Sequence, residues 1–142
     1  MIAHKNGTPQ TVATASDATI TWSVASLDQE SCFEAVSNGY RTKYADTYLV
    51  RANISFDAAN VSTANPYVFI RKNGVTQSTT RQSPASITDI STICCWALVE
   101  CVVGDLIDVR FHHSNTMPPG ATTNMTLRGD ADLTNLHITR TS

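Results

Sequence analysis

The stretch from Ile93 to Asp105 constrains this chain more than any other, because it has no polar face until Glu100. An antiparallel strand with one wet side alternates apolar and polar residues. Read as a strand, this segment sets Ile93, Cys95, Ala97 and Val99 on one face and Cys94, Trp96 and Leu98 on the other. The apolar run is about ten residues, well short of the ~20 that cross a bilayer as a helix. Protein is therefore expected on both sides of the strand, and a second subunit is one way to supply it.

The 142 residues suit one domain with a single core. Charged residues make up 15% of the chain, against about 25% in an average globular protein. Thr, Ser and Asn stand in their place and favour extended structure over helix. A net charge of -2, a pI near 6.0 and scattered basic residues speak against nucleic acid as a partner. The polar start, Met1 to Gln10, lacks an apolar leader or lipidation signal, so no membrane partner is expected.

No helical period lasts three turns. Short β-rich runs alternate with turn signals instead: Thr19–Val24, then Tyr48–Phe56 with the cleanest alternation, then Tyr67–Lys72. Asn73-Gly74 is a strong hairpin signal, with Val75–Arg81 as the returning strand. The two-sided run follows. Gly104-Asp105 turns it into Leu106–Phe111, with Ile107, Val109 and Phe111 inward, and Met125–Leu127 and Leu136–Arg140 close the chain. Eight to ten strands without a helix imply an all-β sandwich or barrel. Residues 1–15 are polar and without alternation, and they read as an extended arm on a domain spanning 16–142. His112 to Thr123 reads as a long surface loop.

Cysteines 32, 94, 95 and 101 show no metal-ligand spacing. Cys95 and Cys101 share a face but lie roughly 20 Å apart at ~3.3 Å per residue, too far for a disulfide. They are expected to be reduced and core-filling, which suits synthesis in a reducing cytoplasm. His112-His113 point to opposite sides of a strand and do not suit one metal ion, while His4 and His137 lack a carboxylate partner by spacing. Asp130-Ala131-Asp132 falls short of a calcium loop, so neither metal nor other cofactor is expected. Asp105 reads as a turn residue and Asp108 as the exposed side of its strand. Arg128-Gly129-Asp130 spells an integrin-binding tripeptide but reads as a turn. No nucleophile elbow, phosphate-cradling loop or paired catalytic acids are present, and no enzyme is expected.

Tyr48–Phe56, the strand closing in Lys72-Asn73-Gly74, the long apolar strand, Gly104-Asp105-x-Ile107-x-Val109 and a terminal Leu136-x-Ile138 together resemble the jelly-roll superfamily of tumour necrosis factor and the complement-type globular heads. The resemblance spans about Thr19 to Arg140. It implies a ten-stranded jelly roll in a tight homotrimer, with an inner sheet that packs on its own core with one face and on neighbouring subunits with the other. It places the trimer interface at Cys94, Trp96 and Leu98, or the opposite set, together with Leu49 and Arg51. No stalk, anchor or signal of the animal members is read in these residues, so a form similar to the stand-alone ones in tailed-bacteriophage virions is expected. The implied role is a virion structural protein made in the host cytoplasm: a capsid decoration, or cement, protein bound to the major capsid protein on the outer surface. The expected capsid contact is the arm, through Ile2, His4, Lys5, Asn6 and Thr8. The alternative is a tail-fibre or receptor-binding head recognising host glycans, with Trp22 and Tyr40 or Tyr44 as stacking aromatics.

Overall fold

In a computed structural model the described residues are 1–13, 15–28, 30–57, 65–82, 90–114 and 124–142. They form thirteen strands and no helix. In chain order these are β1 (Ile2–His4), β2 (Gln10–Val12), β3 (Asp17–Thr19), β4 (Val24–Ala25), β5 (Phe33–Glu34), β6 (Gly39–Arg41) and β7 (Asp46–Asp57), then β8 (Asn65–Lys72), β9 (Val75–Arg81), β10 (Ile90–Cys101), β11 (Leu106–Ser114), β12 (Met125–Leu127) and β13 (Asn135–Arg140).

The strands make two antiparallel sheets. In the first, β7 is the hub: β10 pairs along its whole length on one side, and β13 and β12 share the other. Beyond β13 come β1 and β4, and beyond β12 comes β2. The second sheet runs β5-β6-β11-β8-β9, with β3 also on β11. The core between them takes one side of β7, β8, β10 and β11, while β9 buries none of its residues. Tyr48, Val50, Ala52, Ile54 and Phe56 of β7 are all fully buried, as are Ile107, Val109 and Phe111 of β11. Phe56 and Phe111 meet across the two sheets with ring centroids 5.7 Å apart, within the range of favourable aromatic pairs.

The turns follow local chemistry. Asn73 and Gly74 both take positive φ, 49° and 82°, as a two-residue hairpin whose twist matches its strands requires. Gly104 has φ 90° in the β10–β11 turn. There Asp105 is buried and structural: its carboxylate accepts the Val102 N–H at 2.9 Å and the Asn73 side-chain amide at 2.7 Å. These bonds hold its carboxyl below the usual carboxylate range, the Val102 N–H first and the Asn73 amide second.

Three sequence expectations need correction. Thr19–Val24 is not one strand. Ile20 N–H still bonds Val109 O, but Thr21 N–H goes to the Gln10 side chain and Trp22 N–H to that of Asn38. Ser23 N–H then bonds His4 O. The segment crosses from the second sheet, where β3 lies, to the first, where β4 lies, and side chains satisfy its backbone on the way.

The first fifteen residues are not an arm. Residues 2–4 lie between β13 and β4, residues 10–12 pair with β12, and Ala3 and Val12 fill the core. Each strand contributes a single buried apolar residue, too few to make a legible alternation.

Asp108 is on the outward side of β11 but is not exposed. Arg71, its direct register partner on β8, grips both carboxylate oxygens at 2.9 and 2.5 Å. Arg110 approaches to 4.0 Å, and the residue is left 6% exposed.

Candidate functional site: the outward face of the first sheet

The two faces of β10 have opposite environments. Ile93, Cys95, Ala97, Val99 and Cys101 are buried in the core. Cys94 is exposed, and Trp96 and Leu98 are each 61% exposed. The expectation of protein on both sides of this strand is thus met within one chain on one side only. Large apolar residues in a row on a regular strand are unlike the isolated apolar residues of an ordinary surface.

Register extends the row into a patch. Leu98 lies opposite Leu49, Trp96 opposite Arg51 and Cys94 opposite Asn53 on β7. Across β7, Thr139 is beside Leu49, His137 beside Arg51 and Asn135 beside Asn53; beyond β13, Ile2 is beside His137 and His4 beside Asn135. Cys94, Trp96, Leu98, Leu49 and Arg51 therefore come together on one side of one sheet. β10 is also the sheet's edge at this point, its strand pairing in the described residues being with β7. A twelve-residue strand thus presents an edge with no second strand partner among those residues beside exposed apolar side chains, with Lys72 Nζ donating to its Glu100 O at 2.8 Å.

Among the described residues, the chemistry on this face is charge, two histidines (His4 and His137) and the Cys94 thiol. Burial lowers the His137 pKa first, and the Met1 amino group and Arg51 add to it. Burial pushes the Cys101 thiol up to about 11 and also raises Cys32, which disfavours the reactive thiolate at both. Against the expectation for all four cysteines, Cys94 fills no core: it is exposed on the even-numbered side of β10, which no described residue covers.

The residues expected to touch a capsid divide. Ile2 and His4 are half-buried strand residues, while Asn6 and Thr8 are exposed in the turn after β1. Lys5 is fully buried and cannot be a contact. Its Nζ donates to Thr21 O at 2.9 Å, Thr21 Oγ1 at 3.1 Å and Gln10 Oε1 at 3.2 Å. These are neutral acceptors, so desolvation dominates and lowers its pKa to about 8.

Other candidate groups are absorbed into structure. Arg128 pairs with Asp130 at 2.8 Å and Asp57 at 3.0 Å, and Gly129 packs on the Gly7–Thr8 backbone, so the Arg-Gly-Asp tripeptide is held by its own chain. His112 bonds Asp17 at 2.8 Å, and the buried His113 bonds Val12 O through Nε2 at 2.9 Å. Of the aromatics considered for stacking, Trp22 and Tyr40 are core residues, 5% exposed each, while Tyr44 is 47% exposed. Tyr44 lines a 630 Å³ cleft with Phe33, Arg41, Lys43 and Val103, and the Arg140 guanidinium already lies 4.6 Å from its ring centroid. Most of the 112–123 loop lies outside the described residues.

No protein-family model matches the chain, and no curated protein sequence matches it.

Proposed function

We propose that this chain is a jelly-roll subunit of a homotrimer that decorates the outer surface of a bacteriophage capsid and stabilises it. The observation that carries the reading is the exposed row of Trp96 and Leu98 on the edge strand of a well-packed sheet, continued by Leu49. Leaving such a row in water sacrifices roughly 25 cal/mol for each Å² of apolar surface, which burial against further copies recovers. The strand order supports a jelly roll: β1-β13-β7-β10 in one sheet faces β6-β11-β8-β9 in the other. With β1 and β2 built into the sheet, attachment falls to exposed turns, among them Asn6 and Thr8, and not to a detachable arm.

The function is mechanical. A trimer seated where several capsid subunits meet makes several modest contacts at once, and these add through effective concentration. Ligation of the assembled shell in preference to its separated subunits shifts the equilibrium toward the shell. The experiment is to add the purified protein to undecorated shells and follow binding by particle imaging and shell stability by thermal disruption. Trimer density on the shell with a raised disruption temperature is the expected result. Absence of binding to shells, with micromolar binding to host glycans, would replace this reading with the receptor-binding one.

A further inference from the structure

The outward face of the first sheet has an uneven charge pattern that says how a second copy would sit on it. Arg51 on β7 and Glu100 on β10 are both exposed. Neither belongs to any of the ion pairs among the described residues. The other acid on this side of β7, Asp57, is taken by Arg128. The long strands thus offer one unpaired charge of each sign on an otherwise apolar or neutral face.

The two cannot meet within a chain. Glu100 lies opposite Thr47 and Trp96 opposite Arg51, so four residues of β7 separate them, roughly 13 Å of strand. Burying either charge without a partner would cost more than the apolar contact beside it returns. Laying the face row on row against a second copy would not relieve this. The row Trp96–Arg51–His137–Ile2 holds the Arg51 cation and no acid, so Arg51 would find no anion there. An offset or crossed arrangement brings the acid-bearing end of β10 to the Arg51 row and removes both penalties.

We infer that Arg51 of one copy pairs with Glu100 of the next, and that this pair sets the register between neighbouring sheets. The inference rests on the self-assembly reading above and adds to it a partner residue and a register.

The test is a charge-reversal cycle, Arg51→Glu, Glu100→Arg and the double variant, with assembly followed by sedimentation and native mass spectrometry over a concentration series. Thermal unfolding of each variant at high dilution checks that the fold is kept, as both side chains are exposed. Each single reversal is expected to raise the dissociation constant by about tenfold or more. The double variant should return to within about threefold of the unaltered chain. Single reversals that assemble normally, or a double variant no better than the worse single, would overturn the pairing and leave self-assembly standing. A monomeric unaltered chain at every concentration would overturn both.

Discussion

Gly129 lies so close to Gly7 that a Cβ on it would stand 2.4 Å from the Gly7 carbonyl carbon and 2.5 Å from Thr8 N. The Gly7 N–H donates to Gly129 O at 2.7 Å. This backbone-on-backbone contact clamps the turn between β1 and β2 to the loop after β12, and it gives the glycine of the Arg-Gly-Asp sequence a structural role.

Gly129→Ala should therefore destabilise the fold by at least about 2 kcal/mol, as overpacking against rigid backbone does. The loss should be greatest in the N-terminal strands. Hydrogen exchange is the measurement: amides of residues 2–12 should lose protection first, while those of β7 and β11 keep theirs. Uniform loss across both sheets, or no loss, would show that the contact is not the clamp.

Lys5 makes stability depend on alkaline pH in an unusual direction. Its pKa is about 8 in the fold and about 10.4 in an unfolded chain. Between these values the unfolded state holds more protons, so stability rises with pH from about 8 to about 10.4. Below pH 8 the amine is protonated in both states and its contribution is flat. Lys5→Met should remove this rise. Denaturant unfolding of both proteins between pH 7 and 10.5 gives the difference directly, because other alkaline groups titrate equally in the two. Parallel curves would mean that Lys5 keeps an ordinary pKa.

Arg71 and Asp108 form the most enclosed ion pair among the described residues, with side chains 16% and 8% exposed. Arg71→Leu leaves the Asp108 carboxylate covered, with Arg110 its remaining cation at 4.0 Å. A loss of about 3 kcal/mol is expected. Combining it with Asp108→Leu should recover part of that loss, because no unpaired charge remains. A double variant as unstable as the sum of the singles would contradict the pairing account.

Thiol labelling distinguishes the two faces of β10. Cys32, Cys95 and Cys101 are buried in the core and should label only on unfolding. Cys94 is exposed in the single chain, so its labelling should be fast at high dilution and slow where copies cover the face. Rapid labelling of Cys94 at every concentration would place it outside any contact. Its constant protection down to nanomolar protein, where the chain is monomeric, would show that something in the chain itself covers it.

The sequence was most legible where long strands meet short-range signals. Tyr48–Phe56 alternates because one side of β7 is core throughout, and Asn73-Gly74 is a turn for reasons confined to two residues. The two sides of β10 could be told apart as sets, but only three-dimensional pairing shows which one the chain buries. Two failures have a common cause. Ala3 and Val12 are the single buried apolar residues of three-residue strands whose partners, β13 and β12, lie more than a hundred residues away. Asp108 looked exposed because the charge that covers it, Arg71, comes from another strand. The adjacent basic residues Arg71 and Lys72 closing Tyr67–Lys72 and a lone acid in Leu106–Phe111 were the available hints. The burial of Lys5 had no local signal at all.

The most direct test of the account is the solution mass of the unaltered chain beside Trp96→Glu, measured by sedimentation at micromolar concentration. The account predicts three times the 15.4 kDa chain mass for the unaltered protein and the single-chain mass, still folded, for the variant. A folded monomer for the unaltered protein, with Trp96 and Leu98 left in water, would contradict it.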